Sequence, residues 1–456
     1  MNGSAPARTT APREAVSRAR VAAKARTILA SPMASRVLWR RSATAIGVYT
    51  ATGLGFLTTV VATRELGTHD YARFAAVLAA TGFFQLLLDL TIEEALVKYG
   101  FRYAERKSWG RLRRLFEVAL AFKVVGGVLA GLALLALAPV AGEIWSTEDV
   151  LVPMVIAATI PLLQAPEGVA AGALILRGRY DIRGAFLALS MAARLVGLAI
   201  GCRFGVTGGV LGTAVAQLAA TAAVCIVGVG AFRRFPHAEA VPLAEDVRPL
   251  RSFIFRSTLA SSLVSARATL GTALLPLVAP LVQTGYFRNA QAPATGLSAL
   301  SAPARLVLLT EQTRDFEAGR QDRMYAMLRR YVVATSLLML VAVPILWWLM
   351  PVLMGIAYGP DFREHASDAA RLVLIAAALQ LVWGWSKSFP VSIGRPGLRV
   401  LAHAVEIAVF VPLLLVFAAA WGATGGAAAV LVSTVVFCAL WTVLLMRVRT
   451  AAPVPA

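Results

Sequence analysis

Charge is what this sequence has least of. Only 15% of its 456 residues are charged, while 58% are hydrophobic; a soluble domain carries about 25% charged and about 45–50% apolar residues. That balance excludes an ordinary soluble domain and places the polypeptide in a bilayer. Cysteine is scarce as well. Cys202, Cys225 and Cys438 lie in or beside apolar runs, without the spacing of a disulfide framework or a metal-ligand set. The histidines His69, His237, His365 and His403 are scattered, so neither a metal nor a cofactor is expected. No Gly-rich phosphate loop and no nucleophile–base pair stands out, so the chain is not expected to be an enzyme. Residues 1–42 contain no apolar stretch ahead of a cleavage site, and so do not read as a secretory signal.

What remains is apolar runs separated by basic ones. Twelve runs of about 20 residues, the length a helix needs to cross hydrocarbon, lie between positions 43 and 446. Lys and Arg number 44 against 24 Asp and Glu, a net charge of +20. With the N-terminus placed inside, 34 of these 44 cations fall on inside segments and six on outside loops, which is the asymmetry that sets membrane orientation. The expected fold is an all-α integral membrane protein with twelve transmembrane helices and both termini cytoplasmic. Aromatic residues in the basic loops, Tyr99, Phe101, Tyr103, Trp109 and Phe116, read as markers of the membrane interface, and nucleic acid is not an expected partner.

The chain also repeats itself. Tyr71 and Arg73 return as Tyr286 and Arg288 at a shift of 215, and Arg113 and Arg114 as Arg329 and Arg330 at 216. The loop GRYDIR (Gly178, Arg179, Arg183) returns as GRPGLR (Gly394, Arg395, Arg399) at 216, and GVTGG (Gly205–Gly209) as GATGG (Gly422–Gly426) at 217. Matches in one order at one shift indicate a tandem duplication. The expected division is a basic tail (1–42), a six-helix lobe (43–232), a linker (233–253), a second six-helix lobe (254–446) and a short tail (447–456). Six is even, so both lobes insert the same way and are related by a pseudo-two-fold along the membrane normal. A cleft between two such lobes suits alternating access.

Ionisable residues inside apolar spans are costly and usually face the protein interior or water. Arg267, in the polar stretch SSLVSARATLGT, has two readings: an ion pair with an acid on a neighbouring helix, or an anion contact in the cleft. The second is favoured, because a guanidinium offers a planar fork to phosphate oxygens. The repeat shift maps Asp89 onto position 304, beside Arg305, so these two either pair or share a substrate. Arg64 and Arg194 complete the candidate substrate contacts, with Glu167 as an alternative partner for Arg194. Glu94, and the pair His403 and Glu406 three residues apart on one helix face, are candidates for ion coupling; a satisfied intrahelical pair is the simpler reading of the last two. Pro276 and Pro280, placed within the span 254–283, are candidate hinge points.

The run from Ala62 to Glu105, ATRELGTHDYARFAAVLAATGFFQLLLDLTIEEALVKYGFRYAE, resembles the first two helices of bacterial polysaccharide-biosynthesis flippases. These belong to the multidrug/oligosaccharidyl-lipid/polysaccharide exporter (MOP) superfamily. The RELG turn (Arg64–Gly67), the helix start at Tyr71 and Phe74, and the loops 205–209 and 422–426 carry the resemblance. It implies a protein of the bacterial cytoplasmic membrane that moves a polyprenyl-diphosphate-linked glycan from the inner to the outer leaflet. Cationic cleft residues would hold the diphosphate, and Arg267 fits that role. Membrane lipids and other polysaccharide-assembly proteins are the further partners it implies. Two rivals stand beside it. A cation-coupled multidrug exporter of the same superfamily would favour an acidic cavity. A membrane-embedded polymerase or ligase would need a long outside loop with catalytic Arg or His, and the loops near 139–149 and 352–367 are short.

Overall fold

A computed structural model describes residues 32–88, 92–243, 246–393, 395 and 397–450. Every regular element among them is helical: α1 (Pro32–Leu88), α2 (Ile92–Glu105), α3 (Trp109–Ile144), α4 (Leu151–Ala157), α5 (Ile160–Leu176), α6 (Tyr180–Gly201), α7 (Gly205–Phe232), α8 (Val247–Leu274), α9 (Leu281–Ala290), α10 (Ala292–Glu317), α11 (Gln321–Tyr358), α12 (Pro360–His365), α13 (Ser367–Val382), α14 (Phe389–Ser392) and α15 (Gly397–Thr450). Hydrocarbon leaves the backbone no other partner, so its N–H and C=O groups must pair within the segment.

Seven stretches of the described helices are long and apolar enough to cross a membrane, and three of them, Ala45–Leu87, Tyr180–Phe232 and Gly397–Arg449, are double. Each double stretch turns at a glycine with positive φ: Gly67 (71°), Gly205 (75°) and Gly422 (55°). A residue with a Cβ is strained there, so glycine marks the reversal. At the first turn, Asn289 donates to Thr63 at 2.9 Å and accepts from Tyr71 at 2.5 Å, which holds the two limbs of α1 side by side. At the third, the Gln283 side chain accepts the Ala423 N–H at 2.9 Å and caps the second limb of α15. Counted by limbs, with α8 and the α9–α10 pair added, the helices account for the twelve expected crossings.

The duplication is visible in the packing. Gly209 on α7 lies under the Phe74 ring, where an added Cβ would stand 3.5 Å from the ring edge; Gly426 on α15 lies under Phe287 at 3.0 Å. The equivalent glycines of the two TGG motifs each lie against an aromatic ring, although Phe74 and Phe287 are not themselves equivalent at the repeat shift. Exposed apolar side chains such as Ile226, Leu340 and Trp348 cover the outside of the bundle, as a lipid-facing surface requires.

Most cations lie on the face that carries the turns at 106–108, 177–179 and 318–320, called here the basic face. The linker is fastened to the first lobe on this face. Asp246 stands 3.5 Å from Arg102 and 3.7 Å from Arg111, and accepts the Tyr103 hydroxyl at 2.9 Å. Burial, with the adjoining Asp246 carboxylate, pushes the Tyr103 phenol up to about 12. Leu243, Leu250 and Ile254 join the apolar cluster of Tyr99, Leu112 and Val224, so the first turns of α8 belong to the first lobe. Further along, α8 bonds to the second lobe through Arg267.

On the opposite face the lobes are tied directly. The Arg64 guanidinium donates to the Ile356 and Ala357 carbonyls at the end of α11, where unpaired carbonyls and the helix dipole favour a cation. Thr68 donates to Asp361 at 2.7 Å, Arg288 donates to the Ala75 carbonyl at 3.1 Å, and Tyr71 packs edge-on against Phe362. The cleft is closed at this end.

Helices α6 and α7 meet backbone to backbone: a Cβ on Gly201 would overlap the Gly208 carbonyl, and one on Gly212 the Gly197 carbonyl. Small residues permit this close approach. Gly212→Ala should force the pair apart and cost about 1–3 kcal/mol, read as a lower melting temperature in detergent. Gly53→Ala, where nothing lies within 4 Å of the added methyl, should leave it unchanged or slightly higher.

Candidate functional site

A cavity of about 430 Å³ lies between the lobes, below the closed end. The first limb of α1 forms one wall (Val48 to Thr59), Leu187 and Met191 of α6 a second, and residues Arg288 to Thr295 with Tyr358 the third. Apolar side chains dominate, with Thr52, Thr59, Asn289, Gln291 and Thr295 as neutral polar points. Among the described residues its one charged group is Arg288. One donor of that guanidinium holds the Ala75 carbonyl, which fixes the group in place, and its fork has further donors. No described acid lines the cavity.

Two buried charge clusters flank the cavity, one in each lobe. In the second lobe, Arg267 bonds Glu406 at 2.6 Å and Thr434 at 2.8 Å. Glu406, 4% exposed, also takes His403 Nδ1 at 2.9 Å, and Gln380 donates to Thr434 at 3.3 Å. A small cavity of about 40 Å³ adjoins these groups and Lys387. His403 Nε2 is buried without a partner among the described residues. In the first lobe, Gln217 stands between Arg194 and Glu167, accepting from the first and donating to the second at 2.8 Å. Gln217 and Thr434 are equivalent at the repeat shift of 217, and both are fully buried. Beside Glu167 opens a polar chamber of about 230 Å³.

The arrangement sorts the expected residues. Asp89 and the side chains of Glu94 and Arg305 lie outside the described residues. Arg267 is bonded to a buried acid inside its lobe rather than standing free in the cleft, and this acid is Glu406, which the sequence also pairs with His403. Arg194 reaches Glu167 through Gln217. Arg64 lies at the closed end of the cleft and holds the tip of α11. Pro276 falls in the 3₁₀ turn Leu275–Leu277, and Pro280 caps α9. Both therefore lie beyond the end of α8, where the sequence placed them within a helix: α8 runs from Val247 to Leu274.

The sequence reading passed over three residues. Arg288 was counted as an outside-loop cation, yet it lies in the last turn of α9 and enters the cavity. Its equivalence to Arg73 in the repeat was the available signal. Lys123 lies within an apolar span and pairs with Glu93 at 3.1 Å. Gln217 carried no signal beyond being polar in an apolar run.

Two lobes of helices close over a cavity at one end. The structure resembles an inward-facing multidrug resistance MATE family transporter of the MOP superfamily (TM-score 0.62, 12% identity, 91% of this chain and 100% of that one). It also resembles the lipid II flippase MurJ in an inward closed conformation (TM-score 0.68, 13% identity, 89% and 87%). A third likeness is a MOP superfamily transporter from Pyrococcus furiosus described by the reverse polarity of its binding pocket (TM-score 0.57, 12% identity, 91% and 95%). No curated protein matches the sequence. The fold is thus that of MOP-superfamily transporters. Residues 38–309, more than half of the chain, match the family described as polysaccharide biosynthesis protein, and the chain belongs to that family.

Removing one partner of a buried ion pair strands the other, at about 3–5 kcal/mol. Arg267→Ala should therefore lower melting temperature and membrane abundance. The double variant Arg267→Ala/Glu406→Gln should recover part of the loss, so the two single effects should not add. Additive losses would separate these residues.

Proposed function

We propose that this protein is a flippase that carries a polyprenyl-diphosphate-linked oligosaccharide from the inner to the outer leaflet of the bacterial cytoplasmic membrane, for cell-surface polysaccharide biosynthesis. The observation that carries this reading is the interlobe cavity, apolar over most of its wall with an arginine as its one described charge. A diphosphate entering the membrane loses water, and that loss must be offset by charge-assisted hydrogen bonds. Arg288 offers a fixed fork for them, and the apolar wall suits an isoprenoid chain. An organic cation would meet a like charge and no acid, which disfavours the multidrug reading. The reading contains no catalytic step.

In this account the basic face and both termini are cytoplasmic, and the structure is the state closed to the outside. Opening outward separates the contacts of Arg64, Thr68, Tyr71 and Arg288 while the basic-face end closes. Ion coupling, where it operates, is assigned to His403 and Glu406: a carboxylate held between a guanidinium and an imidazole has a titratable partner within reach. Glu94, Asp89 and Arg305 keep their sequence-based assignments as proposals. Membrane lipids are necessary partners, and contacts with other assembly proteins follow from the family alone.

Loss of one hydrogen bond to a charged group costs about 1.5–3 kcal/mol, so Arg288→Ala should cut glycan export roughly 10–100-fold at near-normal abundance. Arg288→Lys should restore part of it, since a point charge keeps the attraction but loses the fork. Surface glycan and drug tolerance are measured side by side in a deletion strain carrying each variant. Normal surface glycan with new drug sensitivity in the deletion strain would overturn the flippase reading. Orientation has its own test: single cysteines at Ser108 and Ser146 should label from opposite sides of the membrane, and labelling from one side would defeat the assigned topology.

A further inference from the structure

The polar chamber in the first lobe is unlike the cavity between the lobes. Its walls carry Gln85, Glu93, Lys123, Gln164, Glu167 and Phe186. The charges balance, two acids against Lys123 and, at the basic-face rim, Arg183. Glu93 pairs with Lys123 at 3.1 Å, Gln85 bonds Gln164 at 3.2 Å, and Glu167 is held by Gln217 at 2.8 Å. Every one of these groups therefore has a fixed direction, and each carboxylate and amide retains hydrogen-bonding capacity beyond the bond named.

Glycines in its wall let the surrounding groups approach closely. A Cβ on Gly168 would overlap the Glu93 carboxylate, and one on Gly127 would come within 2.9 Å of the Pro161 carbonyl. At about 230 Å³ the chamber exceeds the about 30 Å³ share of a single water several-fold. Leu187 lines both this chamber and the interlobe cavity, so the two adjoin on opposite sides of one side chain of α6.

We propose that this chamber is the subsite that receives a sugar ring of the cargo; the inference rests on the lipid-linked glycan reading above. Its lining is matched to a neutral, hydroxyl-rich ligand. Carboxylates and amide oxygens accept from hydroxyls, Lys123 and the amide N–H groups donate to ring and hydroxyl oxygens, and Phe186 offers an apolar face to the C–H side of a pyranose. A diphosphate would meet Glu93 and Glu167, and an organic cation would meet Lys123 and Arg183. Division of labour follows: the interlobe cavity, with Arg288, holds the lipid diphosphate, and the first lobe reads the sugar.

The test uses the full chain in nanodiscs with two probes, bare polyprenyl diphosphate and the same lipid diphosphate bearing one hexose or N-acetylhexosamine. Wild-type protein should bind the better of the sugar-bearing probes about tenfold more tightly than the bare one, the scale of one or two hydrogen bonds. Gln85→Leu/Gln164→Leu should abolish that preference and leave affinity for the bare lipid unchanged, which also reports that the cavity is intact. The size-matched single variant Gln85→Met should lose part of it, and it serves if the double variant does not accumulate. Failure of wild type to bind any of the probes would overturn the lipid-linked reading, and the subsite with it. Equal binding of bare and sugar-bearing lipid by wild type, or a sugar preference that survives the variants, would overturn the subsite alone and make the chamber a water-filled void.

Discussion

Hydrocarbon answers no hydrogen bond, so every polar group carried into the membrane must be satisfied by another part of the same protein. The chain meets this demand at several scales. Backbone groups close on themselves in helices, and the chain reverses at glycines so that the break in pairing is short. Thr and Ser hydroxyls return to carbonyls of their own helix, as Thr63 does to Thr59 and Thr81 to Val77. The buried charges are held in networks, Arg267 with Glu406 and Thr434, Lys123 with Glu93, Arg194 with Gln217. A few atoms depart from this pattern among the described residues: His403 Nε2 and Arg194 Nε are buried without a partner, and Arg288 lines the space between the lobes with a backbone carbonyl as its described partner.

The two lobes keep the same backbone and differ in where their charges stand. Gly205 and Gly422 turn the chain at equivalent places, and Gln217 and Thr434 anchor the buried network of each lobe. In the first lobe the acid is Glu167 on α5 and the base Arg194 on α6. In the second the acid is Glu406 on α15 and the base Arg267 on α8, while Gln380 occupies the helix that corresponds to α5. Helix packing fixes which glycine must stay small. A salt bridge requires only that two long side chains reach each other, so its members can move to neighbouring helices.

This explains what was legible in the sequence. The apolar runs, the reversals at Gly205 and Gly422, and the duplication are local patterns, and they specified the helices and their order. Even the pairing of His403 with Glu406 could be read, since three residues span one helical turn. Partners from distant helices could not. Nothing local links Glu93 to Lys123 or Arg267 to Glu406, and a polar setting around Arg267 suits a cleft contact and a buried network equally. Pro276 and Pro280 were misplaced for a related reason: a proline in an apolar run can bend a helix or end it, and only the starting point of α8 decides. Arg288 was hidden by its position at the end of a span, where cations are ordinary.

The attachment of α8 to both lobes has a mechanical consequence. Its first turns are packed into the first lobe around Tyr99 and Leu112, and its middle is bolted to the second lobe by Arg267. Rocking one lobe against the other moves these two anchors apart in angle while the helix length between them stays the same. Any such change of angle falls on the length of helix between Phe255 and Arg267. A helix clamped in this way at two places couples the angle between the lobes to its own curvature, as a leaf spring couples load to bend.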